Sequence, residues 1–462
     1  MNVMIGLEIH VQLNTDAKLF CTCQTDYGHA QPNTNICPVC SGQPGGKPMA
    51  PNAKALRNAL MISCMLGARP ELGTPIFMQR KHYFYPDLPS GYQRTSRPLA
   101  KNGKFNGIGI WEVHFEEDPG RYELKEGLVD YNRSGIPLAE IVTAPELKTP
   151  QDARDFLGKL EHYLRYFDLI KDEVGTMRVD SNVSIEGGSR VEVKNINSFS
   201  NVYDALSFEM KRQLTQLEQG MPVVQETRHF DENSGITVRL RKKETADDYR
   251  YVPDPDVPPI IVSRDEWASV AEAVAELPDA RAERLAKQYR IDKGDASVLV
   301  IEKEFADAYE SIAGGFEAQK LANWMRGPLR SKLNYQNLTF RKSGLTAKHI
   351  SELYGMFSSG SITDKAADQI LIRLLDERRK EGVLKTTPMD VAKGSGLLRS
   401  VDPAALKEAC GKVLRENGKA VADYMGGNQK SMFFLVGRVM GETKGIFDAK
   451  EVAEMLRELM RE

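Results

Sequence analysis

Hydrophobic and polar positions alternate from the first residues of the chain. Val3, Ile5, Leu7, Ile9 and Val11 fall on one side of an extended segment, because side chains along a strand point alternately to opposite faces. Gly6, Glu8, His10 and Gln12 fall on the other side. The same period of two recurs in short runs as far as about Ile261, broken by Gly, Asn, Asp and Pro, and predicts a β-rich region. Apolar spacing of the helical kind interrupts it near Ala53–Leu66, Pro150–Tyr166 and Val202–Gln219. The run Tyr251-Val-Pro-Asp-Pro-Asp-Val-Pro-Pro259 is too rich in proline for a helix or a central strand, so it marks the end of that region. Ser263-Arg-Asp-Glu266 then reads as a capping box, and helical patterns dominate from there. Thr346 and Asp402 read as further N-caps, with Pro403 at the first helical position. Lys393-Gly-Ser-Gly-Leu397 reads as a loop inside a hinge over residues 392–399. The pattern as a whole predicts an α+β protein, sheet first and helices after.

Several strands of the early region carry polar groups on one face. His114, Glu116 and Asp118 alternate with Val113, Phe115 and Glu117. Glu140 follows Ile136 and Leu138 in register and so points inward, where a lone carboxylate is costly. Arg178, Asp180, Asn182 and Ser184 share a face, as do Arg190, Glu192 and Lys194. Taken singly, each is a solvated sheet face. Together they describe a cavity lined by carboxylates, a histidine and basic side chains. Carboxylates hold Mg²⁺, and Mg²⁺ with Arg or Lys neutralises nucleotide phosphates. Glu8 and His10, two apart on one strand, point the same way, as ligands of a single ion must. Gly42-Gln-Pro-Gly-Gly-Lys47 is one residue short of a Walker A loop and runs into Pro48, and no Rossmann glycine fingerprint is present. Any nucleotide site is therefore built from carboxylates and metal. Between Arg80 and Arg97 aromatic and basic residues interleave, with Asp87 as the only acid. That composition suits phosphate, an unstacked base or an adenine ring, and equally a rigid aromatic loop packed on the core.

Composition narrows the setting. A length of 462 residues suggests two to four domains. The formal net charge of -2 argues against bulk nucleic-acid binding and confines any RNA contact to a local patch. No apolar run is long enough to span a bilayer, and no secretory or Arg-rich leader precedes the first strand, so a cytoplasmic protein without membrane contact is expected. Cys21, Cys23, Cys37 and Cys40 form two close pairs, whereas Cys64 and Cys410 stand alone in helical patterns as small buried hydrophobes. Paired cysteine pairs in a cytosolic chain favour four thiolate ligands of one structural Zn²⁺ over a redox pair or unligated thiols.

These segments also carry a resemblance. Gly6-Leu-Glu-Ile-His-Val-Gln-Leu13, Tyr83-Phe-Tyr-Pro-Asp87, Glu116-Glu-Asp118, Asp130-Tyr-Asn-Arg-Ser-Gly-Ile-Pro-Leu-Ala-Glu-Ile-Val142, Val193-Lys-Asn-Ile-Asn-Ser-Phe199 and Asp248-Tyr-Arg-Tyr-Val-Pro-Asp-Pro-Asp256 occur in order. The set closely resembles the B subunits of glutamine-dependent aspartyl/glutamyl-tRNA amidotransferases, and Phe433-Phe-Leu-Val-Gly-Arg-Val-Met440 resembles the tail of that family. It spans essentially the whole chain. The related archaeal E subunits usually carry a large inserted domain for which this chain has no room. His82, the run Tyr92-Gln-Arg-Thr-Ser96, Pro119 and Arg121 depart from the common pattern, which puts local nucleotide or tRNA contacts in question rather than the metal set.

The resemblance implies a cradle domain of antiparallel sheet and helices over residues 1–292, an all-α helical domain over 293–398 and a small helical tail over 399–462 that binds tRNA. It implies ATP-dependent phosphorylation of the side-chain carboxylate of misacylated Glu-tRNA(Gln) or Asp-tRNA(Asn). Amidation then uses ammonia from a glutaminase A subunit, and a small C subunit holds the pair together. Residue by residue, it places Glu8, His10, Glu116, Glu117 and Glu140 at Mg²⁺, with Glu8, His10, Glu117, Glu140 and Lys194 in the chemistry. Arg178 and Glu192, with Glu116, fall to the nucleotide, and the four cysteines match zinc-bearing members. In the tail, Lys412, Arg415, Lys419 and Lys430 are spaced along helices and a glycine-containing loop. Two other classes remain open on the residues alone: a non-catalytic zinc-containing tRNA-binding scaffold, and a stand-alone carboxylate–amine ligase using free ammonia. Inward carboxylates argue against the first, and the long helical C-terminal third against the second.

Overall fold

The computed structural model describes residues 2–461 apart from 124, 172, 174, 197, 242–248, 400–402 and 444–446. The expected N-cap Asp402 and the motif residues Asn197 and Asp248 lie outside the described residues. The chain divides after Leu277 into two compact units, Met1–Leu277 and Pro278–Glu462.

The first unit is built on strands β1 (Val3–Gln12), β2 (Met78–His82), β3 (Tyr92–Ser96), β4 (Ala100–Phe105), β5 (Ile108–Glu117), β6 (Arg121–Glu123), β7 (Leu128–Asp130), β8 (Pro137–Thr143), β9 (Met177–Ile185), β10 (Val191–Ile196), β11 (Glu226–Asp231), β12 (Ile236–Arg241) and β13 (Val252–Pro253). Eleven of them form one sheet in the order β12-β11-β10-β9-β1-β8-β5-β3-β2-β13, with β4 on β5, while β6 and β7 form a small hairpin. The pairings are antiparallel except β10 with β11, which are parallel. A parallel neighbour needs a long crossover, and the helix Phe199–Glu218 supplies it. The proline-rich run contributes only the two-residue β13, which sits at the sheet edge, where a missing N–H is harmless.

Among the described residues, four helices belong to this unit: α1 (Ala53–Met65), α2 (Pro150–Tyr166), α3 (Phe199–Glu218) and α4 (Arg264–Ala273). The bounds of α2 match the sequence expectation residue for residue. Thr149 and Asp152 close a capping box there, and Pro150 occupies the position where its missing N–H costs nothing. Ser263 caps α4 by accepting from the Glu266 N–H. The apolar face of β1 (Ile5, Leu7, Ile9 and Val11) is fully buried with Ile141, Val113, Phe115, Phe156, Leu160 and Leu206 in one core. The helices thus cover one face of the sheet and leave the alternate, polar positions on the other.

The second unit is helical, from Pro278–Tyr289 to Ala449–Leu459, and Thr346 caps the helix Ala347–Ser358 as its sequence suggests. The helix Pro388–Gly394 takes in Lys393 and Gly394, so the loop expected from Lys393 begins instead at Ser395. Leu406, Cys410, Val413, Met432, Leu435, Val439, Phe447, Val452 and Leu456 form a separate core in the last sixty or so residues, a length at which a single small core is marginal by itself. No helix among the described residues is long and apolar enough to cross a membrane.

Candidate active site and cysteine cluster

Strand register assembles the site. His10 pairs with Glu140 on β8 and with Arg178 on β9, Glu140 pairs with His114 on β5, and Glu8 pairs with Asp180 on β9. Partners in register share a face, so a row of polar side chains crosses four adjacent strands. The result is a cavity of about 460 Å³ whose lining includes Glu8, Lys81, Glu116, Glu140, Glu192 and Lys194.

Two groups of potential metal ligands stand on this face. His10, Glu116 and Glu140 form one, and Glu8, Asp180 and Glu192 the other; within each, the ligand atoms lie within 4.8 Å of one another. His10 Nε2 is 4.0 Å from Glu116 Oε2 and 3.9 Å from Glu140 Oε1. Burial, reinforced by the neighbouring Glu116 carboxylate, pushes the Glu140 carboxyl up to about 7. Burial and the carboxylates of Glu140, Glu192 and Asp180 likewise raise Glu8. Crowded, buried carboxylates that resist ionisation are the donor set that a divalent cation relieves, so both groups fit a hard cation such as Mg²⁺.

Basic groups answer the carboxylates. Lys194 Nζ lies 3.0 Å from Asp180 Oδ2 and 3.5 Å from Glu192 Oε1. Burial opposes its charge, but these two acids outweigh burial and raise it. Lys81 is raised in the same way by Glu116 and Glu140, and its ammonium sits 4.8 Å from the centre of the Tyr249 ring. Asn182 donates to Glu8 Oε1 at 3.0 Å, Thr227 to Glu192 Oε2 at 3.0 Å and Gln93 to Glu116 Oε2 at 3.0 Å, so these carboxylates are aimed as well as buried.

The expected residues divide by face. Glu8, His10, Glu116, Glu140, Glu192 and Lys194 come together here, with Glu8 in the second ligand group rather than beside His10. Glu117 does not join them. One residue beyond Glu116, it follows Val113 and Phe115 onto the other face of β5, where it accepts from the Arg94 backbone N–H at 3.1 Å and from Arg94 Nη1 at 3.2 Å. Arg178 turns its guanidinium to the buried Asp118, which Gln12 also contacts, 2.8 Å away, so its charge is committed within the protein. Asp180, expected on a polar face but not as a ligand, joins the second ligand group, and Lys81 joins the site from outside the expected residues. The signal for Lys81 lay in the basic and aromatic run, whose Lys81 and Thr95 enter the cavity, with Gln79 just ahead of it, while Arg80 and Arg94 turn away to Asp254.

The four cysteines converge elsewhere in the same unit. Cys40 Sγ lies 3.9 Å from Cys23 Sγ and 3.9 Å from Cys37 Sγ, and all four sulfurs fall within 4.8 Å of one another. These separations are far beyond a disulfide bond of about 2.05 Å. They match the edge of a tetrahedron with metal–sulfur bonds of about 2.3 Å, which is roughly 3.8 Å. The cluster could hold one tetrahedral metal ion. Cys64 is half-buried in α1, and Cys410 is fully buried in the last core.

The first unit thus carries a cavity lined by carboxylates and lysines on the open face of a mixed sheet, with donors that could hold a divalent cation, and a separate four-cysteine cluster that could hold another metal ion. The sequence matches the family described as the GatB/GatE catalytic domain over residues 3–268, and the GatB domain over residues 307–460. The chain belongs to this family. Three proteins, each named as the B subunit of an aspartyl/glutamyl-tRNA(Asn/Gln) amidotransferase, are similar over nearly their whole length. That of Methanopyrus kandleri is 45% identical over 461 residues, covering 99% of this chain and 98% of its own. Those of Methanocaldococcus jannaschii and Methanobrevibacter smithii are 46% identical (98% and 97% covered) and 47% identical (99% and 99%).

Proposed function

We propose that this chain is the B subunit of a tRNA-dependent amidotransferase and carries its ATP-dependent step. A carboxylate oxygen is a poor leaving group. Transfer of the ATP γ-phosphoryl group to the side-chain carboxylate of Glu-tRNA(Gln) or Asp-tRNA(Asn) gives an acyl phosphate and ADP. Ammonia then displaces inorganic phosphate to form the amide. The ammonia comes from glutamine through a partner A subunit, with a small C subunit completing the complex.

His10, Glu116 and Glu140 would hold one Mg²⁺, and Glu8, Asp180 and Glu192 a second cation. Bound there, the metal supplies charge neutralisation for the phosphates, the main requirement of phosphoryl transfer. Lys81 and Lys194 bring fixed positive charge to the walls, where phosphate oxygens and the substrate carboxylate dock. Asn182, Gln93 and Thr227 orient the ligand carboxylates. Zn²⁺ on the four cysteines is structural in this reading, since it has no open position for substrate. Residues 1–292 act as the cradle, 293–398 as a helical connector and 399–462 as the tRNA-binding tail, all in the cytoplasm.

The observation that carries the reading is the pair of ligand groups flanked by Lys81 and Lys194 in one cavity of a chain of this family. A scaffold protein gives no reason to bury so many facing carboxylates. The test is amide formation on misacylated tRNA by the complex with its A and C subunits. Glu140→Gln and His10→Ala should abolish it while tRNA binding and glutaminase activity persist. Full amidation by Glu140→Gln, with glutamine or with free ammonia, would overturn the assignment.

A further inference from the structure

Lys18 is only 1% exposed, an unusual place for an ammonium group. Its Nζ donates to the Asn35 carbonyl at 3.0 Å and the Tyr131 carbonyl at 3.2 Å, and lies 3.4 Å from Cys40 Sγ. Those three contacts match the three N–H donors of the group. Two are neutral dipoles; the sulfur is the one of the three able to carry a negative charge. A buried cation without an anion is expensive, and so is a buried cluster of thiolates without a cation. Four thiolates around one divalent metal leave the complex anionic. The Cys37 backbone N–H adds a further donor to Cys40 Sγ at 3.3 Å. The lysine stem is closely enclosed: Gly135 has φ of +82°, and a Cβ there would lie 3.6 Å from Lys18 Cδ and 3.5 Å from Cys40 Cβ.

We infer that Lys18 is a positioning residue of the cysteine site, the fixed counter-charge that makes a tetrathiolate metal complex tolerable in this part-buried loop. The inference rests on reading the four cysteines as a zinc site. The same ammonium ties the loop to the backbone at Tyr131. Around that point Asn33 donates to the Val129 carbonyl, and Asn35 N–H donates to Asn132 Oδ1. The metal loop is therefore fastened to the segment that leads into β8 and Glu140. Lys18 joins charge balance and mechanical attachment in one group.

Zinc affinity, measured by competition with a chromogenic chelator on the full chain, tests this. Lys18→Met should weaken zinc binding by roughly 10–100-fold, the usual cost of losing an outer contact to a metal ligand. Lys18→Arg should lose less, because the charge is kept. The decisive arm is the Cys40→His background, which keeps four ligands but removes the thiolate that Lys18 faces. There Lys18→Met should cost little. Should Lys18→Met not fold, Lys18→Gln, which keeps a donor but no charge, takes its place in both backgrounds. Wild-type protein with one zinc per chain and an unchanged affinity in Lys18→Met would overturn the role of Lys18 alone. So would an equal loss in both backgrounds, which would reduce Lys18 to packing. Wild-type protein that binds no zinc would overturn the zinc reading and this inference together.

Discussion

Replacing Asp254 by Asn should destabilise the first unit without touching the chemistry. The Asp254 carboxylate is wholly buried; it accepts from Arg80 Nη2 at 3.0 Å, Arg94 Nε at 2.8 Å and the Asp256 backbone N–H at 2.9 Å. Burial pushes its carboxyl up, but the bonds from Arg80, Asp256 and Arg94 outweigh burial and hold it below the usual range. Asn keeps one acceptor oxygen and no charge, so the part-exposed Arg80 is left with Asp256, and the buried Arg94 with Glu117, as its remaining carboxylate. Removing one partner of a buried pair typically costs about 3–5 kcal/mol, and the retained acceptor argues for the lower end, about 3 kcal/mol. At roughly 2–4 °C per kcal/mol for a unit of this size, the melting temperature should fall by roughly 6–12 °C. The sign with pH follows from the depressed carboxyl. Its contribution is fully present above the unfolded value of about 3.9 and is lost as pH falls through the lower folded value. Thermal or urea unfolding between pH 3 and 8 should therefore show a constant gap between wild type and Asp254→Asn at neutral pH that closes in acid. A gap unchanged in acid, or no gap at all with kcat lost at saturating substrates, would refute the structural role and place Asp254 in the reaction.

The neighbours Glu116 and Glu117 should part company: Glu116→Gln is expected to abolish ATP-dependent amide formation, whereas Glu117→Gln keeps kcat at permissive temperature, a contrast read in one assay of both variants. Asp180→Asn should raise the Mg²⁺ concentration needed for half-maximal activity, and an unchanged Mg²⁺ titration would remove Asp180 from the second ligand group. Metal analysis should find about one zinc per chain, and thiol titration should show four cysteines that react only as zinc is released; four freely reactive thiols with zinc retained would sink the assignment. Deleting residues 399–462 should raise KM for misacylated tRNA and flatten its salt dependence while kcat survives at saturation, because fewer phosphate counterions are displaced.

The period of two made most of the cavity legible. Glu8, His10, Glu116, Glu140, Glu192 and Lys194 all occupy the face that their sequence register assigned. Glu117 shows the limit of matching a motif without its register: Glu-Glu-Asp contributes alternate members to opposite faces, and the apolar neighbours Val113 and Phe115 already marked which side Glu117 takes. Arg178 occupies the expected face, yet its partner Asp118 lies just past the end of β5, and a single sequence does not state which strands are neighbours. The parallel pairing of β10 with β11 was hidden for the same reason, since only the crossover by α3 reveals it. Asp180 was visible as a polar position but became a ligand candidate only when β1 and β10 were seen on either side of β9. Helix starts were legible at Ser263 and Thr346, because such capping signals are complete within a few residues, but α3 begins at Phe199 behind its Ser198 cap, three residues before the Val202 at which its apolar spacing was read.

The two faces of the sheet also explain why the same short run serves two ends. Along β2, Gln79 and Lys81 enter the cavity while Arg80 turns to Asp254; along β3, Thr95 enters while Arg94 binds Glu117 and Asp254. The arginine–carboxylate network therefore lies directly behind the strands that carry Lys81. A lysine meant to meet phosphate must hold its charge at a fixed point among crowded acids, and its own flexible stem supplies little of that precision. Rigidity comes instead from the backbone, which the guanidiniums pin from the opposite face through fixed, planar donors. Period-two alternation thus does more than separate core from solvent here. It lets one strand present a chemical group forward and anchor itself backward, residue by residue.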